Sequence, residues 1–330
     1  MNLKRIFACT VVIGLSLSTL APLVHSQEVA SGVHRTPDER FAAIDDYPFE
    51  PHYINVNDLR MHYVDEGTGA AGTMILLHGE PVWSYMYRKA IPELAAAGYR
   101  VIAPDNIGFG KSDKVIDLDW YTLDHHVETL EILMEELDLQ NITIVVNDWG
   151  GPNGLILATE HSERFNRLVI LNTWLHHEGY QYTDALRNWN VRSQQIDFSN
   201  RPGAEGSAVQ APFDSSDAVA GALRWPWMLP FEQPEAGNAT RQEQAFTALA
   251  SWNKPAHVIF GEDDPIFPPE WGREFATHIP GATLTIVPNE GHRPLLLTGG
   301  AGGCQNNPDC STENRGDEFA ALVLRLISEE

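Results

Sequence analysis

Asn141-Ile-Thr-Ile-Val-Val-Asn-Asp-Trp-Gly-Gly151 reads as a buried strand, because β-branched residues run without a break from Ile142 to Val146. The run ends in a short polar residue and then Trp149, Gly150 and Gly151. That pattern fits a sharp strand-to-helix turn that lifts one side chain above the end of a sheet. Such elbows usually present Ser or Cys. Here the frame small-x-nucleophile-x-small falls on Val146-Asn147-Asp148-Trp149-Gly150, so the attacking atom is a carboxylate oxygen of Asp148. A carboxylate suits displacement at a saturated carbon and leaves an alkyl ester on the protein. The competing role for Asp148 is helix N-cap, the commonest one for Asp before a helix.

The chain has 330 residues, 43% of them apolar, enough for one large α/β domain with an inserted cap. Residues 1–26 differ from the rest: Lys4 and Arg5 precede an apolar run from Ile6 to Leu23 that closes at Val24-His25-Ser26. The run is short and thinned by Ser and Thr, which fits a secretory signal better than an uncleaved anchor. The expected location is therefore periplasmic or secreted. Cys9 lies too early in the run for a lipid-attachment site. Removing this segment takes away two cations and no acids, so the formal charge moves from −23 to −25. A surface of that sign repels nucleic acid and anionic lipid, and neither is an expected partner. Cys304 and Cys310 then remain, in Gly-Gly-Cys-Gln-Asn-Asn-Pro-Asp-Cys. Two cysteines among turn formers in an oxidising compartment predict a small disulfide loop. No His or third Cys stands near them at ligand spacing, so no metal site is expected.

Residues 27–50 are polar and Pro-bearing and read as a peripheral segment. From there the pattern is strand and helix in alternation. Strands are predicted at Tyr53–Val56, Leu59–Val64, Met74–Leu77, Arg100–Ala103, Ile142–Val146 and Leu168–Leu171, and a helix at Val127–Leu137. The rhythm stops between Leu175 and Trp252, where Trp, Pro and helical patches replace strand signals, and resumes at His257–Phe260 and Leu284–Val287. This predicts a doubly wound, mostly parallel sheet built from residues 27–174 and 253–330, with a helical cap, 175–252, inserted over the strands' carboxyl ends. No internal repeat is present.

A carboxylate nucleophile needs donors for an oxyanion, a base for water and a group to hold the base. Leu77-His-Gly-Glu-Pro81 follows a strand and offers the backbone N–H of Glu80; the residue after the nucleophile, Trp149, offers the second. His292, in Asn289-Glu-Gly-His292, follows the last strand and is the candidate base. Asp264, in Gly261-Glu-Asp-Asp-Pro265, follows the strand before it and is the candidate acid, with Asp263 as its neighbouring competitor. The order Asp148, Asp264, His292 is the nucleophile–acid–base order of α/β-hydrolases.

His78-Gly-Glu-Pro-Val-Trp-Ser-Tyr-Met-Tyr-Arg-Lys89, Ala103-Pro-Asp-Asn-Ile-Gly-Phe-Gly-Lys-Ser-Asp113 and Val146-Asn-Asp-Trp-Gly-Gly151 closely resemble haloalkane dehalogenases. The resemblance starts near His34 and runs to His292. It implies an α/β-hydrolase fold and hydrolysis of a carbon–halogen bond in a small haloalkane by water, giving alcohol, halide and a proton with no cofactor. In that family two side-chain donors grip the leaving halide. Trp149 matches the first. Glu80 in place of an Asn implies the branch whose second donor is a cap Trp, and Trp189 resembles that position best, with Trp225 and Trp227 as runners-up.

The nearest rival is an epoxide hydrolase, which uses the same kind of triad but needs cap tyrosines, and only Tyr180 and Tyr182 are available. A fluoroacetate-type dehalogenase is disfavoured by Trp149, which stands where that family has Arg. A binding protein on an inactive scaffold is disfavoured by the complete triad. Gly108-Phe-Gly-Lys-Ser112 lacks the first Gly of a phosphate loop. The pairs His125-His126 and His176-His177 lack helical metal-site spacing and are expected at the surface. The insertion from Thr298 onward reads as a surface loop that could border the mouth of the site.

Overall fold

Strands form where aliphatic and β-branched residues run together, and a computed structural model, which describes residues 27–200, 206–296 and 314–330, assembles them in two sheets. The strands are β1 (Gln27–Ala30), β2 (Val33–Arg35), β3 (His52–Val56), β4 (Leu59–Glu66), β5 (Gly72–Leu77) and β6 (Tyr99–Pro104). They continue with β7 (Lys114–Val115), β8 (Ile142–Asn147), β9 (Phe165–Leu171), β10 (Ala256–Gly261) and β11 (Thr283–Val287). The helices are α1 (Ala90–Ala96), α2 (Leu123–Glu136), α3 (Gly150–Glu160), α4 (Asp184–Ser193) and α5 (Gly206–Gln210). After them come α6 (Ala220–Trp227), α7 (Ala239–Leu249), α8 (Pro269–His278) and α9 (Gly316–Ser328).

The main sheet has the order β11-β10-β9-β8-β5-β6-β4-β3. Its neighbours run parallel from β11 to β6, and β4 is antiparallel to both β6 and β3. Every residue of β8 is buried, as expected of a strand covered on both faces. Its side chains alternate between two cores. Ile142, Ile144 and Val146 join a layer with Leu130 and Leu133 of α2 and Leu155 and Ile156 of α3. Val145 joins the opposite layer, with Ile91 and Leu94 of α1 and Phe319 and Val323 of α9. The buried residues of α9, Phe319, Ala320, Val323 and Leu326, follow helical spacing and make the stripe that rests on this face. Between β9 and β10 the described residues contain helices, α4 to α7, and no strand.

Three readings change. The segment 27–50 is not merely peripheral: β1 and β2 pair with β7 in a small antiparallel sheet. Strands of two to four residues carry too few positions for a periodicity to register. Helix α2 begins earlier than expected, at Leu123, because Thr122 caps it by accepting from the His125 N–H. His126 is not at the surface but fully buried, and its Nε2 accepts the indole N–H of Trp225. Burial disfavours its cation and pushes its pKa down to about 3, so it is a neutral post joining α2 to α6. His176 and His177 are partly buried and face Tyr182 and Glu274. Gly108–Ser112 wraps the buried Asp105, which accepts from the amides of Ser84 and Lys111. Residues 1–26, expected to be a secretory signal, and the Cys304–Cys310 loop lie outside the described residues.

Candidate active site

Five neighbouring strands, β11, β10, β9, β8 and β5, end at the same edge of the sheet, and each is followed within five residues by a polar residue of the site. After β8 the chain turns at Asp148, which has φ +54°, a left-handed conformation that costs a non-glycine residue about 1–2 kcal/mol. The turn is possible because its neighbours are small. A Cβ on Gly150 would come within 2.5 Å of the Leu77 carbonyl oxygen on β5. The Thr173 hydroxyl donates to the Asp148 carbonyl at 2.6 Å and fastens the elbow from the β9 side.

The loop after β5 brings Glu80 against the nucleophile: its backbone N–H donates to Asp148 Oδ1 at 2.7 Å. His78 holds that loop. Its Nδ1 pairs with the Gly79 carbonyl at 2.9 Å and its Nε2 accepts from the Asn106 amide at 3.0 Å. Burial lowers the His78 pKa, which keeps it in the neutral form this pairing requires. Gly79 leaves no room for a side chain, since a Cβ there would fall 2.1 Å from Asp148 Oδ1. Gly79→Ala should therefore displace the carboxylate and cut turnover by about 10²-fold or more, the cost of an ångström-scale misplacement. Steady-state kinetics on the variant, with a near-UV spectrum to verify folding, checks this.

His292, after β11, places Nε2 at 3.4 Å from Asp148 Oδ2 and Nδ1 at 3.0 Å from Asp264 Oδ2. Asp264 is buried and also accepts from the Asn172 amide at 2.7 Å and the Ile266 N–H at 2.8 Å. Asp263, the competing acid, is more exposed and pairs through its backbone N–H with the Glu290 carbonyl. For His292, burial opposes the charged form, but Asp264 and Asp148 outweigh it and raise its pKa to about 9. Trp149, whose N–H was the other expected oxyanion donor, stands directly after Asp148 at the start of α3.

The α/β-hydrolase fold model matches residues 72–216. A haloalkane dehalogenase of Psychrobacter cryohalolentis is 39% identical over 313 residues, which cover 89% of this chain and 97% of that one. The chain belongs to the haloalkane dehalogenase family. A haloalkane dehalogenase of Mycobacterium marinum is 40% identical over 76% of this chain and 89% of its own. Among solved structures, the tetrameric haloalkane dehalogenase of Paraglaciecola agarilytica NO2 superposes with a TM-score of 0.76 at 28% identity, covering 90% of this chain and 98% of that one.

In this member of the family a cavity of about 20 Å³, room for roughly one water, opens on the nucleophile. Asp148, Trp149, His292, Glu80, Arg293 and Trp189 contribute to its wall, with Leu186, Leu229, Ile266 and Pro81 completing an apolar lining. Of the three cap tryptophans weighed from sequence, Trp189 alone faces it. Trp225 gives its N–H to His126, and Trp227 lies under the Arg224 guanidinium. The Trp149 indole N–H has no hydrogen-bond partner among the described residues, whereas that of Trp189 donates to Glu80 Oε2 at 3.2 Å. Tyr180 and Tyr182 do not line the cavity, and the Tyr182 hydroxyl faces His176 at 2.8 Å.

Sequence reasoning passed over Asn172, Asn147 and Arg293. Asn172 orients Asp264 and also accepts the Gly261 N–H, and Asn147 donates to the His292 carbonyl at 3.2 Å. Both asparagines close an aliphatic strand run at the catalytic edge, a signal that could have found them.

Proposed function

We infer that the protein hydrolyses small haloalkanes to alcohol, halide and a proton through an alkyl ester on Asp148. What carries this reading is the nucleophile itself: a carboxylate stands in the elbow, faces a histidine, and opens on an apolar cavity with two tryptophans in its wall. Asp148 Oδ1 is held by the Glu80 amide, so Oδ2 is the oxygen that attacks the halogen-bearing carbon in line. As that bond forms, the carbon–halogen pair of electrons leaves with the halide, which Trp149 and Trp189 receive through indole N–H groups. His292 then takes a proton from water, whose oxygen adds to the ester carbonyl. The oxyanion grows at Oδ1, where the Glu80 amide already points and the Trp149 amide is the second donor. Collapse returns the carboxylate and releases the alcohol, which takes up the proton.

The deciding experiment is halide release from 1-bromo- and 1-chloroalkanes of graded length. No halide from any of them, with hydration of simple epoxides instead, would transfer the site to epoxide chemistry. Trp149→Phe and Trp189→Phe should each lower the rate of ester formation by about 10²–10³-fold, the usual loss for one preorganised donor. Burst kinetics of halide release measures that step directly.

We further propose that the chain is exported and that Cys304 and Cys310 pair after export. This rests on Lys4, Arg5 and the apolar run that follows, and on the turn-rich spacing of the two cysteines. Among the described residues no helix is long and apolar enough to cross a membrane.

A further inference from the structure

Glu80 has two ends in the same site. Its backbone N–H holds Asp148 Oδ1, while its carboxylate, on a side chain of a residue only 4% exposed, accepts the Trp189 indole N–H. Both Glu80 and Trp189 line the cavity beside the nucleophile, and that cavity is too small for a halide together with an alkyl chain. A carboxyl oxygen therefore lies where one of the two halide donors points. The other donor, the Trp149 indole, carries no such partner among the described residues. We propose that the Glu80 carboxylate is a built-in competitor for the halide: it occupies the Trp189 N–H in the resting enzyme, yields it as the halide departs from carbon, and reclaims it to expel the product ion.

The inference rests on the dehalogenase reading above and adds the release step to it. Its physical basis is that an indole N–H is a single donor and cannot serve two anions fully. Two like charges contesting one donor in a poorly solvated cavity repel strongly, so the bound halide is destabilised by the carboxylate it displaced. Arg293 places a cation beside Glu80. It lines the same cavity, and its Nη2 already donates to the Glu80 carbonyl at 2.9 Å, so a cation sits alongside the path of the rotating side chain. The bond also ties α4 of the cap to the loop after β5, so its exchange loosens the cap as the halide is bound.

The test is bromide binding, read by quenching of tryptophan fluorescence and by product inhibition of 1-bromobutane hydrolysis. In Glu80→Gln the side chain keeps its shape and loses its charge. Its bromide Kd should fall at least tenfold relative to wild type, about 1.4 kcal/mol, and bromide release in stopped flow should slow by a similar factor. A purely structural role for Glu80 would weaken bromide binding rather than tighten it. The gain should shrink in the Glu80→Gln, Trp189→Phe double variant, where the contested donor is gone. Unchanged or weaker bromide binding in Glu80→Gln, with wild type still turning over, overturns the inference and leaves the dehalogenase reading intact. Wild type that neither binds bromide nor releases it from any haloalkane overturns that reading instead. A crystal of the wild-type protein with bromide gives a measurement that needs no variant: bromide on Trp189 with the Glu80 carboxylate turned away supports the inference, and bromide beside an intact Trp189–Glu80 bond refutes it.

Discussion

His292→Ala should stop the protein after a single turnover. The first half-reaction asks nothing of His292 except its charge, because the attacking oxygen belongs to Asp148 and is held from the other side by the Glu80 amide. Among the described residues no other histidine lines the cavity at the nucleophile. Asp264 is spent on His292, Asn172 and the Ile266 amide. One equivalent of halide per chain should appear, and steady-state turnover should fall by about 10⁴-fold, the upper range for loss of a general base. Mass spectrometry of the reacted variant should find one alkyl group added to the peptide carrying Asp148. In wild type, single turnover in ¹⁸O-labelled water should leave the label in the protein rather than the alcohol, since the alcohol oxygen comes from Asp148. Continued turnover by the variant, or alcohol labelled in that first cycle, would show water attacking the haloalkane directly and would remove the ester from the mechanism.

Much of this site could be read from the sequence because strand ends are local. Asp148, Asp264, His292 and Glu80 each follow a short aliphatic run, and a parallel sheet carries all such positions to one edge. The strands themselves were legible for the same reason: β8 is β-branched from Ile142 to Val146, and alternation assigns its side chains to two cores. What was not legible depends on contacts between segments far apart in the chain. The partner of the Trp189 indole is Glu80, 109 residues away, and no spacing rule connects a cap helix with a loop after β5. His126 was misplaced because its neighbour in the helix, His125, is partly exposed, while Trp225 arriving from the cap packs on His126 together with Trp120 and Tyr121. The small sheet of β1, β2 and β7 fails for a different reason. Two to four residues per strand are held by pairing, with β7 far along the chain from β1 and β2, and their own pattern carries almost no signal.

Asp148→Ala should abolish halide release from every substrate, to the detection limit of the assay, and should also change how stability depends on pH. The titrating group is His292. Burial works against its imidazolium, but Asp264 and Asp148 together raise its pKa to about 9 from an ordinary value of 6.5. A raised folded-state pKa means that the native protein binds this proton more tightly than the unfolded chain does. The resulting stabilisation is complete below about pH 6.5, declines as the pH rises towards 9, and is gone above it. Each unit of difference is worth about 1.4 kcal/mol. In Asp148→Ala one of the two anions is missing, so the His292 titration should move down towards neutrality and the decline should become shallower. Urea midpoints at pH 7, 8 and 9, compared between the two proteins, isolate this group from others that titrate in the same window, such as the buried Lys114. NMR titration of the His292 ring should give the same ordering. Alkylation performs the same subtraction on every cycle. Esterified Asp148 carries no charge, so the histidine that rests as a cation beside two carboxylates is left beside one. It then sheds its proton and becomes a base at the stage when water must be activated. Equal pH profiles in the two proteins, or a His292 titration that does not move, would mean that Asp148 does not control the base and that the timing of the second step has another source.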